Sequence, residues 1–130
     1  MWIIKKQEKN YLVKTIVQSK VLNLLGLAQR AGKLIIGYDA VKPALLQHQI
    51  KVLILAKDLS DNTKDKIMSI AKHNKNLVIL NEFSSEELKS ALGKERKLLA
   101  IKDIGFSQAI TKLIDKWRRV FGWLKKEFMK

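Results

Sequence analysis

Three short, uninterrupted apolar runs constrain the fold of this chain more than any other feature. The sequence reads VLILA at 52–56, LVIL at 77–80 and LLAIK at 98–102. Apolar runs of this length without alternating polar residues are typical of strands that are covered on both faces. Because helix-like spacing separates the runs, the sequence predicts an α/β/α sandwich around a small, mostly buried sheet.

The first half of the chain carries helix signals around a fourth, shorter apolar segment. Apolar residues at helical spacing predict a helix over 20–31, with Gly32 as its stop: Val21, Leu24, Leu25 and Ala28. The segment LII at 34–36 then predicts a short strand. Asp39 is expected to cap a second helix that continues to about His48.

The second half repeats this alternation. A turn leads into a predicted helix over 63–73. Ser84 and Glu87 match a capping box, in which each side chain accepts a hydrogen bond from a backbone N–H of the other. A short helix follows and Gly93 ends it, while Asp103 is expected to begin a last helix. The order of the strands in the sheet does not follow from this pattern.

The composition is that of a single, strongly basic domain. The 130 residues are 47% apolar, and 26 Lys and Arg against 12 Asp and Glu give a net charge of +14. A chain this basic repels itself unless an anion offsets the charge, and nucleic acid is the most common such partner, before a membrane surface. The absence of cysteine, of a signal-peptide pattern and of a long apolar run predicts a cytoplasmic protein.

Residues with catalytic or metal-binding chemistry are sparse. His48 and His73 are the two histidines, and neither has a nucleophile or a ligand at useful spacing. A phosphate-loop interpretation fails because Leu34 stands where Ser or Thr must hold magnesium. Asp58 and Asp61 are better explained by turns and helix capping than by calcium binding. The sequence therefore predicts a non-enzymatic protein without a metal, cofactor or small-molecule substrate.

Backbone breaks lie beside cations at three places. One helix ends in a glycine and a lysine, the next begins at Gly-Tyr-Asp, and GKERK at 93–97 precedes a strand. If these loops meet at one sheet edge, they form a positive surface rich in N–H donors, which suits folded RNA. Ordinary turn glycines with solvated lysines are the open alternative. The candidate residues are Gly32, Lys33, Gly37, Tyr38, Asp39, Lys42, Lys94, Arg96 and Lys97.

Three segments carry a family likeness: LNLLGLAQRAGKLIIGYDAV, KVLILAKDLSDNTKDKI and LLAIKDIGFSQAI. Over residues 20–114 the chain resembles the kink-turn-binding superfamily of ribosomal proteins, and within it the small bacterial YlxQ/YbxF-like branch. The resemblance implies a three-layer α/β/α fold with a mixed four-stranded sheet. It also implies binding to sharply bent RNA, where tandem sheared G·A pairs sit beside a bulge. The implied partner is a kink-turn of rRNA or mRNA, in a ribosomal or regulatory role.

The family's RNA-contacting helix start is only partly retained. The family reads Gly-x-Asn-Glu-x-x-Lys there, and Gly37 matches the glycine. Asp39, Ala40 and Pro43 stand in place of the Asn, Glu and Lys. Lys42 lies next to the last of these positions, but one residue along a helix is a rotation of roughly 100°, so it points elsewhere.

Two basic features complete the likeness. Lys33 keeps the family's basic position before the first strand. The loop at 94–97 is more charged than the family's mostly apolar version. This difference favours contacts with phosphate over packing against bases.

The termini extend beyond the region of resemblance. We predict an N-terminal extension at 1–19, an RNA-binding domain at 20–114 and a basic amphipathic C-terminal extension at 115–130, both extensions being helical. The C-terminal apolar stripe comprises Leu113, Trp117, Val120, Phe121, Leu124 and Phe128.

Three interpretations of this stripe are open. It packs on the apolar N-terminal segment, or it binds RNA through Arg118 and Arg119 with a base stacked on Trp117 or Trp123, or it lies on a membrane or a partner helix. The last of these makes a protein–protein or membrane-surface adaptor the alternative function.

Overall fold

Helices and strands alternate through the middle of the chain, as predicted. The computed structural model describes the backbone of residues 6–128 and the side chains of residues 15–119. Its elements are α1 (Lys6–Arg30), β1 (Leu34–Ile36), α2 (Tyr38–Leu46), β2 (Val52–Leu55), α3 (Asp61–Ala71), β3 (Val78–Leu80), α4 (Ser85–Leu92), β4 (Leu98–Ile101) and α5 (Ile104–Phe128).

The four strands form one mixed sheet in the order β1-β4-β2-β3. The central strand β4 is antiparallel to both β1 and β2, whereas β2 and β3 are parallel. Every residue of β2 and β4 is buried, which confirms that their apolar runs are covered on both faces. The mixed four-stranded sheet implied by the family likeness is therefore confirmed.

Alternate residues of the central strands point to different helical layers. Val52 and Ile54 of β2 lie in one cluster with apolar side chains of α1, α4 and α5. Leu53 and Leu55 lie in a second cluster with side chains of α2 and α3. Each fully buried aliphatic side chain contributes about 1.5–3 kcal/mol, so two separate cores stabilise the fold. This arrangement confirms the three-layer α/β/α sandwich.

The start of α4 agrees with the sequence prediction. The Ser84 hydroxyl accepts the backbone N–H of Glu87 at 3.1 Å, and the Glu87 carboxylate accepts the backbone N–H of Ser84 at 3.2 Å. Gly93 follows the helix with φ +78°, a conformation that L side chains rarely adopt. The capping box and the glycine stop are both confirmed.

The predicted cap of α2 is wrong. Gly37 occupies the position before the helix with φ 89°, and no side chain bonds there to the first backbone N–H groups. Asp39 lies one residue inside the helix and is exposed. The glycine conformation starts the helix earlier than the sequence signal suggested, so Asp39 contributes charge near the positive helix end instead of a cap.

The two long helices run continuously through the predicted domain boundaries at 19/20 and 114/115. Val17 of α1 is buried in the same cluster as Ile114 of α5, and Trp117 packs against that cluster. For this part of α5, the packing interpretation is supported. Ile16, also expected in this contact, is 54% exposed. The other apolar residues expected there lie outside the described side chains, as does Trp123 of the RNA interpretation: Trp2, Ile3, Ile4, Leu12, Val13, Val120, Phe121, Leu124 and Phe128. None of the described helices is long and apolar enough to cross a membrane.

Candidate nucleic-acid interface

One edge of the sheet gathers two of the three predicted segments. Because β1 and β4 are antiparallel, the end of β1 lies beside the start of β4, and the Gly37 N–H donates to the Leu98 carbonyl at 3.0 Å. The start of α2 and the loop at 93–97 therefore adjoin. We call this side of the sheet the α2 edge; it comprises the segments 37–42, 57–60, 81–85 and 93–97.

Backbone hydrogen bonds join the remaining strand ends to this edge. The Ala56 N–H donates to the Lys97 carbonyl at 2.9 Å, and the Lys57 N–H donates to the Phe83 carbonyl at 2.8 Å. The helices α2, α3 and α4 each begin here, directly after β1, β2 and β3. First-turn N–H groups and the positive ends of three helix dipoles thus face one side of the molecule.

The side chains at the start of α2 are solvent-accessible. The Lys42 Nζ lies 5.7 Å from the centre of the Tyr38 ring, which places the cation over the aromatic face. Asp39, Ala40 and Lys42 are exposed, and Tyr38 is half-buried. This part of the surface offers an aromatic ring, a cation and a carboxylate to a ligand.

The basic loop before β4 is more mixed in charge than the sequence suggested. Lys94 is exposed, but the Lys97 Nζ lies 3.9 Å from carboxylate oxygens of both Asp58 and Glu95. Arg96 is half-buried, and its Nε has no hydrogen-bond partner within the described part of the chain. The positive surface expected from the sequence thus contains acidic groups as well, because carboxylates from a neighbouring loop and from the loop itself flank the cations.

Asp58, in the loop after β2, contacts both the start of α4 and the loop before β4. Hydrogen bonds from the Ser85 hydroxyl and then from the Ser85 backbone N–H lower the pKa of this carboxyl below its ordinary value, and the charge of Lys97 adds to them. The group therefore stays ionised and fixes the first turn of α4 beside the basic loop. The sequence predicted turn capping for Asp58 but gave no sign of its partner, which lies 27 residues away.

Lys33 lies at the other end of β1. Leu34 pairs with Ile101, so the residues before β1 adjoin the end of β4, and the Lys33 Nζ is 4.0 Å from Asp103. The three residues of β1 separate Lys33 from Gly37 by roughly 13 Å of extended chain. Gly32, with φ +71°, ends α1 beside it. The structure thus does not gather Gly32 and Lys33 with the other seven candidate residues.

The candidate residues named from the sequence do not include Lys57 and Ser85, which follow β2 and β3 and lie at this edge. The sequence could have indicated Lys57 by its position just after an apolar strand, and it contains no comparable signal for Ser85. In the described part of the chain, no group of His, Asp and Glu side chains is placed to hold a metal ion.

A family model described as ribosomal protein L7Ae/L30e/S12e/Gadd45 matches residues 19–111. The chain belongs to this family. The L7Ae/L30e match begins within α1 and ends within α5, so it spans all four strands.

Two bacterial relatives and one solved structure each align with more than two thirds of this chain. The RNA-binding protein YlxQ of Enterococcus faecium is 35% identical over 75% of this chain and 94% of its own length. Its namesake in Bacillus subtilis is 33% identical over 71% of this chain and 92% of its own length. A structure of a Bacillus halodurans protein of unknown function, 35% identical, superposes with a TM-score of 0.66 over 74% of this chain and 97% of its own. The L7Ae-like, YlxQ-related assignment made from the sequence is confirmed.

Proposed function

We propose that this protein binds structured RNA of the kink-turn type through its α2 edge, acts by binding and not by catalysis, and serves a ribosomal or regulatory role in the cytoplasm. The observation that carries the proposal is the hydrogen bond between Gly37 and Leu98. It sets the start of α2 beside the loop before β4, and these are the two segments that the family likeness assigns to RNA. The names of the two YlxQ relatives support the RNA partner.

The charges of the edge favour phosphate contacts. Lys42 and Lys94 are exposed, while Lys97 forms ion pairs with two carboxylates. The free N–H groups of α2, which has no side-chain cap, add donors that suit a phosphate oxygen. We therefore expect salt-sensitive binding, because each neutralised phosphate releases counterions.

Base recognition at this edge is weaker than in the family pattern. Asp39 accepts hydrogen bonds but cannot donate one, and Ala40 offers neither. The Tyr38 ring and the half-buried Arg96, whose Nε is unpartnered, are the remaining groups suited to bases. We infer that shape and phosphate positions contribute more to affinity than direct contacts with the G·A pairs.

The test compares a kink-turn RNA with a version whose G·A pairs are replaced, at two salt concentrations. We expect tighter binding to the kinked RNA and a steep loss of affinity with salt for both. The variant Lys42→Glu/Lys94→Glu should lose about tenfold or more in affinity at low salt, because two phosphate contacts become repulsive.

The matched control is Lys20→Glu/Lys66→Glu, which makes the same charge change on exposed positions inside α1 and α3. This control should bind within about threefold of the wild type, the loss expected from net charge alone. Equal losses in both variants would mean that RNA does not use the α2 edge. Failure of the wild type to bind any RNA would overturn the proposal itself.

A further inference from the structure

A second basic surface lies at the opposite side of the sheet, where α5 begins. We call it the α5 edge; it comprises Lys51 and the segments 32–33, 76–77 and 102–103 together with the adjoining helix ends. The cations described there are Arg30, Lys33, Lys51, Lys72, Lys75, Lys102 and Lys112. The carboxylate described there is Asp103, whose Oδ2 accepts the Phe106 N–H at 2.9 Å and so caps α5. This edge is more uniformly positive than the α2 edge.

Helix dipoles account for only part of this charge. The helices α1, α2 and α3 end at this edge, and cations near helix C-termini are stabilised by the dipole. That reason covers Arg30 and Lys72. It does not cover Lys51, which precedes β2, or Lys112, which lies inside α5.

Lys51 and Lys112 line one cleft with a volume of about 560 Å³. Its other walls include Asn76, Ile104, Ser107 and Gln108. Ile104 is 64% exposed, so it offers an apolar surface beside the two lysines. The cleft thus combines an apolar surface, two amides and two cations within one opening.

A neighbouring cleft of about 420 Å³ extends this surface and shares Lys51 and Asn76 with the first. It adds His48, His73 and Lys75. Within the described part of the chain, His48 and Asn76 are the non-glycine residues with positive φ, 57° and 62°. Two residues held in a rarely used backbone conformation therefore line the same groove.

One buried hydroxyl in the wall of the first cleft has no hydrogen-bond partner within the residues that the structure describes. Among the described side chains, two buried polar atoms lack a partner: Arg96 Nε at the α2 edge and Ser107 Oγ in the cleft of Lys51 and Lys112. Ser107 is 5% exposed. Buried hydroxyls normally have a hydrogen-bond partner, so this unpartnered one in the wall of the cleft adds to the case, made by its charge and shape, for a polar group bound there.

We propose that the cleft between Lys51 and Lys112 binds a single-stranded RNA segment, independently of the α2 edge. The two lysines hold phosphates, a base lies against Ile104, and Asn76 and Gln108 contact base edges. The choice of RNA as ligand rests on the proposed function, while the site rests on the cleft and its charge. With both edges occupied, one protein joins a folded RNA element to a flexible strand.

The test is an NMR titration of the isotope-labelled full chain with a short oligouridylate and, separately, with a kink-turn hairpin that has no single-stranded tail. We expect the oligouridylate to shift the backbone amide signals of Asn76, Gln108 and Thr111 in a saturable way. Lys51→Glu/Lys112→Glu should weaken this binding about tenfold or more and leave hairpin binding within about threefold.

Two further variants complete the design. Lys20→Glu/Lys66→Glu makes the same charge change at exposed positions inside α1 and α3, outside both edges, and should retain oligouridylate binding within about threefold. Ser107→Ala should weaken the oligouridylate severalfold without lowering the melting temperature, since it removes a hydroxyl that has no partner in the free protein.

The outcomes separate the two proposals. Oligouridylate shifts confined to the α2 edge, or no oligouridylate binding by a protein that binds the hairpin, would overturn this second site alone. Equal losses in the cleft variant and the control would also overturn it. A protein that binds neither RNA would overturn both the proposed function and this inference.

Discussion

Asp58 and Ser85 are joined by two hydrogen bonds across 27 residues of chain. The Ser85 backbone N–H donates to Asp58 Oδ1 at 2.8 Å, and the Ser85 hydroxyl donates to Asp58 Oδ2 at 2.5 Å. These bonds fasten the loop after β2 to the first turn of α4. The same carboxylate lies 3.9 Å from the Lys97 Nζ, so it also orients the loop before β4.

The stabilisation that Asp58 provides should depend on pH. Because its pKa is lower in the folded protein than its ordinary value near 3.8, the carboxylate stabilises the fold above that pH. The contribution is lost as the pH falls below about 3.8 and through the folded-state pKa. We expect Asp58→Ala to lower the melting temperature at neutral pH, and this difference from the wild type should shrink in acid. A difference that stays constant down to strongly acidic pH would show that ionisation of Asp58 does not matter.

Gly93 should resist replacement for reasons of backbone conformation alone. Its φ is +78°, and a Cβ added there would meet no atom within 4 Å. Gly93→Ala should therefore cost about 1–2 kcal/mol in the free energy of unfolding, the usual cost of a left-handed conformation. Gly93→Asn should cost less, since asparagine adopts this conformation more readily. Denaturant titration measures both, and equal losses would point to a steric cause instead.

Val17 tests whether the fold extends past the predicted domain start at residue 20. It is 8% exposed and lies in the cluster of Ile114, so Val17→Ala should lower the free energy of unfolding by about 1–2 kcal/mol. The neighbouring Ile16 is 54% exposed, and Ile16→Ala should change it by less than about 0.5 kcal/mol. Similar small effects at both positions would place the start of the folded unit later in α1.

Restoring the family's polar residues should sharpen RNA selection. Asp39, Ala40 and Pro43 are all exposed, so the triple variant Asp39→Asn/Ala40→Glu/Pro43→Lys leaves the core intact. We expect about tenfold tighter binding to a kink-turn RNA, equivalent to about 1.4 kcal/mol from the regained hydrogen bonds. Binding to an RNA with replaced G·A pairs should improve less. Equal gains for both RNAs in a binding titration would indicate charge and not base recognition.

The sequence predicted the elements well because their signals are local. The uninterrupted run in β2 and the capping box of Ser84 and Glu87 each lie within a few residues, and both appear as expected. The error at Asp39 arose where two local signals competed, a capping aspartate and a glycine able to take φ 89°. The glycine prevailed because its conformation turns the chain before the carboxylate can reach the first N–H groups.

Which residues lie together in the site depends on the order and direction of the strands in the sheet. No local sequence pattern reveals that order. Pairing β1 antiparallel with β4 brings Gly37 to the loop before β4 and carries Lys33 to the opposite edge. Parallel pairing of the same strands would have reversed this grouping. For the same reason, the joining of Lys51 and Lys112 in one cleft became visible only in three dimensions, although both residues stand plainly in the sequence.

The direction of the two long helices limits how a large ligand can approach. The helix α1 ends at the α5 edge and α5 begins there, so the two helices are antiparallel on one face of the sheet and α5 runs toward the α2 edge. Trp117 packs beside Phe83 at that edge, and α5 continues to Phe128, about three turns farther. The last three turns of α5 therefore lie along one side of the α2 edge. They begin at the exposed Arg118 and Arg119. Because α5 occupies this side, a macromolecule that binds the α2 edge must approach from the side of α2 and α3. One side of the bound macromolecule then lies against α5.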